Sequence, residues 1–392
     1  MAEALQGIKV LDLCRSYPPA FAGMFMADFG AEVIKVDPPG FVFPVPTEGG
    51  AEAWAAYYYL DRNKKSLTLN FKSKKGLEAL FKLVKESDVL IENSRPGTMD
   101  KIGIGYSVLS KVNPKLVYCS VSGYGQTGPY KDLPGHDSNY LGVSGVLSIV
   151  GEKGGPPCSP GNIVGDMAGA GMHSLSAVLI ALLARQRTGK GQFLDISYTD
   201  GVFSMFGFEI AMYQLTGVDP KRGQTFRTGS EALVNSYECK DGEWFNIACV
   251  EEKLWQNLCK AMGCEQFLPY QWPGDNDAKR KEMLAWFKKK FKTKTRAEWW
   301  EWAKDKDIAA GPVWNLSEAL KDPQMVQREM VMKVKHPKLG EVIQTGFPLK
   351  LHDTPARFKS FGPMPGQHTD EILKGLGYKP AEIKALRAEG AV

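Results

Sequence analysis

Apolar and polar positions follow two alternating periods along the N-terminal part of the chain. Short runs rich in Val, Ile and Leu have the length of buried strands, and the stretches between them have the spacing of amphipathic helices. We predict strands at 8–13, 32–36, 66–70, 88–92, 116–121 and 192–197, and helices at 19–28, 74–85 and 106–111. Because strands that alternate with helices form a parallel sheet with covering helices, the pattern predicts an α/β fold.

The loops that follow the predicted strands are the expected place for a site. Ligands of parallel sheets bind beyond the carboxyl ends of the strands. Those ends lead here into 14–18, 37–65, 93–97 and 122–137. The second of these loops is unusually long for a connection, which is typical of a functional segment or of one that packs as its own unit.

The pattern changes in the second half of the chain, where we predict a smaller α+β domain over 221–328. The sequence YECKDGEWFNIA indicates a hairpin with Asp241 and Gly242 at its turn. Thr295 and Glu298 fit a T-x-x-E capping box at the start of a helix. The apolar segment 168–184 includes His173 and two serines, so it predicts a buried helix rather than a membrane span.

The charge distribution argues against a nucleic-acid partner. The 392 residues include 49 Lys and Arg against 44 Asp and Glu, a net charge of +5, yet nine basic residues and one acidic residue are concentrated at 279–296. Nucleic-acid proteins spread positive charge over a face. Because Leu284, Phe287 and Phe291 have helical spacing, this stretch predicts a solvated helix with one buried stripe.

Cysteine and histidine usage argues against disulfides and metal sites. The seven cysteines contain no CxxC, and the five histidines contain no HExxH. The start of the sequence, MAEALQGIKVLDL, lacks the basic and apolar regions of a signal peptide. We therefore expect reduced thiols, a cytoplasmic location, no metal and no membrane partner.

Asp166, in NIVGDMAGAG (162–171), is one of two strong candidates for chemistry. It stands before an apolar helix, so one interpretation is a structural N-cap. The other is a carboxylate that the helix dipole keeps ionised for use as a nucleophile or a base. The glycines at 165, 169 and 171 would let a ligand approach the backbone closely.

His136, in PGHDSNY (134–140), is the other candidate. It either satisfies a loop hydrogen bond or acts as a general acid or base, since histidine titrates near neutral pH. Glu251, in CVEEKLW, is either an exposed helix start or a functional acid. The spacing alone leaves these alternatives open.

Several longer motifs resemble one enzyme family. They are GIKVLDL, ADFGAEVIKVDPPG, RNKKSLTLN, DVLIENSRPG, GYGQTGPY, PGHDSNYLGVSGVLS, GDMAG, RTGKGQFLDIS and, near the C-terminus, PGQHTDEIL. Together they resemble the family III CoA-transferases, the CaiB/BaiF group, and the related α-methylacyl-CoA racemases. The resemblance implies a doubly wound, Rossmann-like parallel sheet in a large domain built from 1–220 and 329–392. It also implies an interlocked dimer.

In the transferases, the aspartate that matches Asp166 is the nucleophile. The resemblance implies that it carries CoA from an acyl-CoA to a carboxylic acid through an aspartyl-CoA thioester, without a permanently bound cofactor. His136 would then contact a substrate carboxylate, which suits a dicarboxylic acid. The aromatic residues of the loop segment Trp54–Tyr59 either suit a bulky or aromatic acyl group or pack in the dimer. In the racemases, His136 and Asp166 exchange the α-proton of a 2-methylacyl-CoA, and a glutamate matching Glu251 supports the histidine.

We favour the transferase over the racemase. The extended segment 41–60 before RNKKS, the ENSRPGTMDKIGIGY run and the C-terminal tail resemble transferases, whereas GHDSNYLGVSGVLS resembles racemases. A third alternative is a non-catalytic subunit paired with an active homologue, so a heteromer stands beside the homodimer.

The resemblance also implies a set of CoA contacts. Pro38 stands where the family often has an arginine, and a lysine replaces another arginine at 101, so bidentate phosphate recognition is weakened. The matching residues are Tyr17, Pro18, Lys35, Lys65, Leu69, Asn93, Ser94, Arg95 and Lys101.

Overall fold

The computed structural model describes residues 2–14, 17–41, 58–161, 164–337 and 339–392. Parts of the predicted loops 14–18 and 37–65 lie outside the described residues. The chain forms two compact units. Unit 1 comprises 1–144, 161–205 and 327–392, and unit 2 comprises 145–160 and 206–326.

Unit 1 contains a parallel sheet of six strands in the order β3-β2-β1-β4-β5-β6. This order is that of a doubly wound α/β fold, with a switch point between β1 and β4. Each predicted strand overlaps an observed strand, which confirms the α/β prediction. The strands are β1 (Lys9–Asp12), β2 (Glu32–Asp37), β3 (Lys65–Thr68), β4 (Val89–Glu92), β5 (Val117–Ser122) and β6 (Phe193–Ser197).

Helices cover both faces of this sheet. One face packs on α1 (Tyr17–Asp28), a π-helix (Gly165–Met172) and α7 (His173–Thr188). The other packs on helices from early and late in the sequence. These are α2 (Lys74–Lys85), α3 (Thr98–Lys101), α4 (Tyr106–Val112), α15 (Thr369–Gly375) and α16 (Pro380–Ala388).

Two more helices, α5 (Asp137–Val143) and α8 (Tyr198–Ser204), and the hairpin of β10 (Val331–His336) and β11 (Gly340–Thr345) complete unit 1. Successive strand residues point to opposite faces, so Val10 and Leu11 enter separate cores.

The apolar segment predicted as a buried helix spans the π-helix and α7. Within the described chain it is the one helix, Gly165–Thr188, that is long and apolar enough to cross a membrane. Its inner face is a core face, because Ala170 and Val178 are fully buried. Ile180 and Leu183 on the outer face are exposed.

The RNKK sequence ties the C-terminal segment to the sheet. Arg62 is buried and donates to both carboxylate oxygens of Asp28, and its Nη1 donates to the carbonyl of Thr345 at 2.7 Å. Asn63 donates to Asp28 and to the Arg357 carbonyl. These contacts join residues roughly 300 positions apart, so unit 1 depends on both parts of the chain.

Unit 2 is a separate α+β body. Its sheet is antiparallel, and the predicted hairpin is present with Gly242 at φ 81°. Buried Trp255, Phe287 and Trp299 lie at the centre of its core. The strands are β7 (Val234–Glu238), β8 (Trp244–Ala248) and β9 (Ala310–Pro312); the helices are α6 (Val146–Ile149), α9 (Gly207–Thr216), α10 (Glu252–Met262), α11 (Asp277–Phe291), α12 (Arg296–Ala303), α13 (Leu316–Ala319) and α14 (Pro323–Gln327), with 3-10 turns at Phe226–Thr228 and Glu265–Tyr270.

Two sequence details of unit 2 can be compared with the structure. The basic stretch is helix α11, which buries Met283, Phe287 and Phe291 while Leu284 is only partly buried. The capping box of Thr295 and Glu298 is present. The boundaries of unit 2 also differ from the predicted 221–328. Unit 2 comprises 145–160 and 206–326.

Candidate active site

A cavity of about 690 Å³ opens at the carboxyl ends of the parallel strands in unit 1. All residues that line it belong to this unit. The strand ends supply Asp37 after β2, Asn93 after β4 and Ser122 at the end of β5. This is the place where doubly wound folds bind ligands, so the cavity is the candidate active site.

The cavity brings together the two residues that the sequence singled out. His136 and Asp166 both line it. His136 immediately precedes α5, and its backbone N–H donates to Asn139 Oδ1 at 3.0 Å, which fixes the loop at the helix start. Asp166 lies on the first turn of the π-helix. π-Helices are rare and occur frequently at functional sites.

The surroundings of Asp166 differ from both interpretations of the sequence, which were a structural N-cap and a carboxylate that the helix dipole keeps ionised. Val164 already has helical backbone angles, so Asp166 lies inside the helix and the N-cap assignment of Asp166 is wrong. Burial, and secondly the negative charge of Asp137, raise the pKa of Asp166 to about 7. Burial and the neighbouring carboxylate therefore shift the pKa of Asp166 upward, opposite to the direction expected from the helix dipole.

Asp137 also holds the Asp166 backbone in place. Its Oδ1 accepts the backbone N–H of Asp166 at 2.8 Å. A Cβ on Gly165 would come within 2.9 Å of the same oxygen, so a glycine is needed for this approach. Asp137 thus fixes the position of Asp166 and adds to the rise of its pKa, which burial mainly causes.

The glycines of the π-helix serve packing against protein rather than approach of a ligand. A Cβ on Gly169 would lie 2.7 Å from Val202, and one on Gly171 would lie 2.8 Å from the Pro18 carbonyl. The prediction that these glycines open the backbone to a ligand is wrong at both positions. They let α1 and α8 pack closely on the turn that carries Asp166.

A tyrosine that the sequence analysis missed supports the His136 loop. Tyr140 is buried and donates from its hydroxyl to the Gly135 carbonyl. A Cβ on Gly123 or Gly135 would lie 2.7 or 2.6 Å from its ring. Burial, and secondly the charge of Asp166, raise the pKa of Tyr140 to about 12, so it stays protonated. No local pattern in the sequence reveals this role, because Gly123 and Gly135 both precede Tyr140 and meet its ring only in the fold.

A buried charge network lies beneath the cavity. Lys64 is fully buried and donates to Asp12 at 2.8 Å, to Asp61 at 3.2 Å and to the Ala20 carbonyl at 3.1 Å. Burial opposes its charge, yet Asp12 and Asp61 raise the pKa of Lys64 above its usual range. Lys35, which lines the cavity, donates to Asp61 at 2.6 Å. These pairs hold the cavity wall rigidly, because a buried charge is costly without its partner.

The loop after β4 is held by a buried glutamate. Glu92 accepts the Ser94 N–H at 2.7 Å and a hydrogen bond from the Ser120 hydroxyl. Burial raises the pKa of Glu92. Arg95 on this loop lines both the main cavity and a smaller one of about 260 Å³.

The predicted CoA contacts divide into two groups. Tyr17, Lys35, Asn93, Ser94 and Arg95 line the cavity, as does Pro38. The others lie outside its lining: Pro18 is buried in α1, Leu69 is buried in the sheet core, Lys65 is paired with Glu32 and Glu371, and Lys101 is exposed at the end of α3.

Glu251 belongs to unit 2, where it is the N-cap residue of α10. Its support of His136 stays a prediction. Within the described part of the chain, no group of three or more His, Cys, Asp or Glu side chains could hold a metal ion.

Comparisons with known proteins agree with the geometry. The model of "CoA-transferase family III" matches residues 5–369. Human alpha-methylacyl-CoA racemase is 35% identical over 98% of this chain and 97% of its own length. Succinyl-CoA--D-citramalate CoA-transferase of Chloroflexus aurantiacus is 33% identical over 99% of this chain and 98% of its own length. A crystal structure of a CAIB/BAIF family protein from Brucella suis superposes with a TM-score of 0.82 at 30% identity, covering 96% of this chain and all of that one.

Proposed function

Because the chain belongs to CoA-transferase family III, we propose that it moves CoA from an acyl-CoA to a carboxylic acid, with Asp166 as the nucleophile. The observation that carries this proposal is that Asp166 and His136 line one cavity beyond the sheet. Its volume of about 690 Å³ lies within the usual range of ligand sites. Lys35 and Arg95 in the wall suit an anionic substrate.

The exchange proceeds in steps that preserve the acyl energy. A carboxylate oxygen of Asp166 attacks the thioester carbon, the C–S bond breaks, and CoA leaves as thiolate with formation of a mixed anhydride. The thiolate attacks the Asp166 carbonyl of this anhydride, which gives an aspartyl-CoA thioester and releases the donor acid. The acceptor carboxylate then displaces the thiolate to form a second anhydride. Attack of the thiolate on its acyl carbonyl yields the new acyl-CoA and regenerates Asp166.

His136 is exposed on the cavity wall and is available to a substrate carboxylate. A positively charged imidazole beside a second carboxylate of the substrate would favour a dicarboxylic acid over a simple one. The name of the Chloroflexus relative includes a dicarboxylate, succinate, as its CoA ester. We therefore choose succinyl-CoA as the first donor to test.

A 2-methylacyl-CoA racemase is the second candidate function. Two observations favour it: His136 and Asp166 line the same cavity, and the pKa of Asp166 is raised to about 7 by burial and then by Asp137. A general acid or base works best when its pKa is near the operating pH. One group would remove the α-proton, and the other would return a proton to the opposite face.

A trapping experiment separates the two functions. The protein is incubated with succinyl-CoA and hydroxylamine, and Asp166 is analysed by mass spectrometry; in parallel, a 2-methylacyl-CoA is incubated in D2O. A hydroxamate on Asp166 without α-deuterium supports the transferase. Deuterium exchange without trapping overturns it in favour of the racemase.

Variants assign the roles in the same assays. Asp166→Asn should abolish either reaction, while His136→Ala should abolish racemisation but only weaken transfer. His352→Ala is the matched control, because His352 is exposed and lies outside the cavity lining. If neither site substitution lowers activity, both assignments are wrong.

We also propose that the chain works as a dimer in the cytoplasm. Large apolar side chains of unit 1 are exposed, including Ile180 at 67%, Leu183 at 55% and Phe203 at 51%, and such surfaces mark interfaces. The seven cysteines are unpaired, and six are buried, which suits a reducing compartment.

A further inference from the structure

A hydrogen-bond relay of Gln126, Ser120 and Glu92 joins the loop after β5 to the loop after β4. The side-chain amide of Gln126 donates to the Ser120 hydroxyl at 3.0 Å. Ser120, on β5, donates to Glu92 at the end of β4, and Glu92 accepts the backbone N–H of Ser94 at 2.7 Å. The proposed chemistry uses none of these three side chains, yet both loops contribute residues to the cavity lining.

The backbone places Gln126 for this role. Gly125 has a φ of 86°, a left-handed conformation that favours glycine, and the next residue folds back onto β5, which contains Ser120. The Gln126 N–H donates to both carboxylate oxygens of Asp195 on β6, at 3.1 Å each. The side-chain nitrogen also lies 3.5 Å from the Ser122 hydroxyl. The main chain and the side chain of Gln126 are thus fixed to neighbouring strands.

The hydrogen bonds of the relay run in one direction, toward Glu92. The amide nitrogen of Gln126 can only donate, the Ser120 hydroxyl accepts from it and donates onward, and the carboxylate accepts from Ser120 and Ser94. Glu92 and Ser120 are only 2% and 3% exposed. Because a buried polar group without its partner is costly, loss of one member disturbs the others.

The Glu92 end of the relay adjoins the main cavity. Glu92, Ser120 and Gln126 line the smaller cavity of about 260 Å³. Arg95 lines both cavities, and it directly follows Ser94, whose N–H the relay holds. The position of Arg95 in the main cavity therefore depends on Glu92.

Aromatic packing connects the Gln126 end to His136. Tyr124, two residues before Gln126, packs edge-on against Tyr140, with ring centroids 5.4 Å apart. Tyr140 donates to the carbonyl of Gly135, the residue before His136. Such ring pairs prefer a defined geometry, so the start of this loop and its end at His136 are packed together.

We propose that Gln126 and Glu92 are positioning residues that, through Ser120, hold Arg95 and His136 in a fixed relative position in the cavity. This inference rests on the proposed function, in which an acyl-CoA and a carboxylic acid bind there. Neither positioning residue touches the reacting atoms. Each affects substrate contacts made by the other loop, so a change at Glu92 reaches His136 and a change at Gln126 reaches Arg95.

Hydrogen exchange of the intact protein without substrate, followed by mass spectrometry, tests the connection between the loops. Gln126→Met keeps the backbone N–H and the length of the side chain but removes its donor. Loss of one hydrogen bond should speed exchange of the amides at 93–97, on the other loop, by roughly two- to tenfold. Ser120→Ala should have the same effect. Unchanged exchange at 93–97 in both variants overturns the proposal.

Steady-state rates with succinyl-CoA as donor and glutarate as acceptor test the positioning role. Glu92→Gln and Gln126→Met should each lower kcat/KM by roughly tenfold. The double variant should lose about the same factor rather than about a hundredfold, because both changes interrupt one relay. KM for glutarate should rise in Glu92→Gln, whereas loss of folded protein alone would lower kcat without changing KM. Multiplicative losses, or an unchanged KM, overturn the positioning role.

Ser107→Ala is the matched control for Ser120→Ala. Ser107 lines the same smaller cavity, but it is exposed on α4 and is not a member of the relay. This variant should leave both exchange and kinetics unchanged, and an effect equal to that of Ser120→Ala overturns the proposal. If the unmodified protein transfers no CoA between these acids, the proposed function fails with them, while exchange at 93–97 still decides whether the relay joins the loops.

Discussion

At the scale of the residue, Asp166 combines an ordinary side chain with an unusual environment. Burial, followed by the charge of Asp137, raises its pKa to about 7. The ionised form, which the nucleophile requires, therefore increases as pH rises through this value. We expect kcat/KM with succinyl-CoA to rise between pH 6 and 8, roughly tenfold per pH unit on the acidic side.

Removal of the neighbouring charge should move this profile. Asp137→Asn leaves a side-chain oxygen for the Asp166 N–H, which Asp137 accepts at 2.8 Å, but it removes the repulsion. The acidic limb of the profile of kcat/KM against pH should shift to lower pH, which initial rates measured across the pH range will show. Asp132→Asn, an exposed position in the same loop, is the control. An unchanged limb in Asp137→Asn would show that burial alone sets the pKa.

The raised pKa of Asp166 also costs stability. A carboxyl whose folded pKa, here about 7, exceeds its unfolded value stabilises the unfolded chain once the pH rises above the unfolded value of 3.8. We expect Asp166→Asn to raise the free energy of unfolding at pH 8 by roughly 1–2 kcal/mol, after a discount for partial exposure. Urea denaturation at pH 8 and pH 4 checks this: the gain should vanish at pH 4, and a loss at pH 8 would contradict it.

The sequence predicted the chemical residues better than their surroundings. His136 and Asp166 stood out because their residue types suit the chemistry. Lys64 did not, because no local pattern reveals that a lysine is buried between two carboxylates. The carboxylates Asp12 and Asp61 come from separate segments, and only the fold brings them together.

At the scale of the element, the contact of the π-helix with α8 controls the position of Asp166. A Cβ on Gly201 in α8 would lie 1.8 Å from the carbonyl oxygen of Gly169, a backbone atom that cannot rotate away. Gly201→Ala should therefore separate the two helices, lower the melting temperature by several degrees and reduce activity by more than tenfold. Thermal unfolding followed by circular dichroism, with parallel rate measurements, tests this.

Gly142→Ala is the control for this prediction. Gly142 lies in α5 near the same cavity, but a Cβ there would meet nothing within 4 Å. Alanine in a helix is more favourable than glycine, so this variant should retain or gain stability. Equal behaviour of the two variants would show that the close contact at Gly201 is unimportant.

The elements themselves were largely predictable. The strands were found because apolar, β-branched runs have one plausible place in an α/β protein, the buried sheet. The π-helix was not, because an extra residue per turn depends on how α1 and α8 pack around it. The run of small residues in GDMAGAGM favours close packing without specifying its geometry.

At the scale of the whole molecule, the domain boundaries show where local patterns fail. The segment 145–160 joins unit 2 although the prediction placed it in the large domain. The place of this segment in unit 2 depends on contacts between residues that are distant in sequence, and no periodicity of apolar positions reveals such contacts. The return of the C-terminal region to unit 1 was expected from the family resemblance rather than from the pattern.

The proposed dimer gives a prediction at this scale. We expect Ile180→Glu combined with Leu183→Glu to convert a dimer to a monomer, because charges on a buried apolar face are costly. Light scattering after size-exclusion chromatography measures the mass. Leu316→Glu, at an exposed position in unit 2, should leave the mass unchanged. A monomeric unmodified protein would exclude the dimer.

The joining of distant segments in unit 1 has a consequence for synthesis of the protein. The Thr68 N–H donates to the Thr369 hydroxyl at 3.1 Å, and these residues are 301 positions apart. At roughly 5–20 residues per second, the ribosome leaves β3 without this partner for on the order of 15–60 s. The nascent chain must therefore carry an incomplete sheet edge during most of translation, and molecular chaperones have that interval in which to bind it.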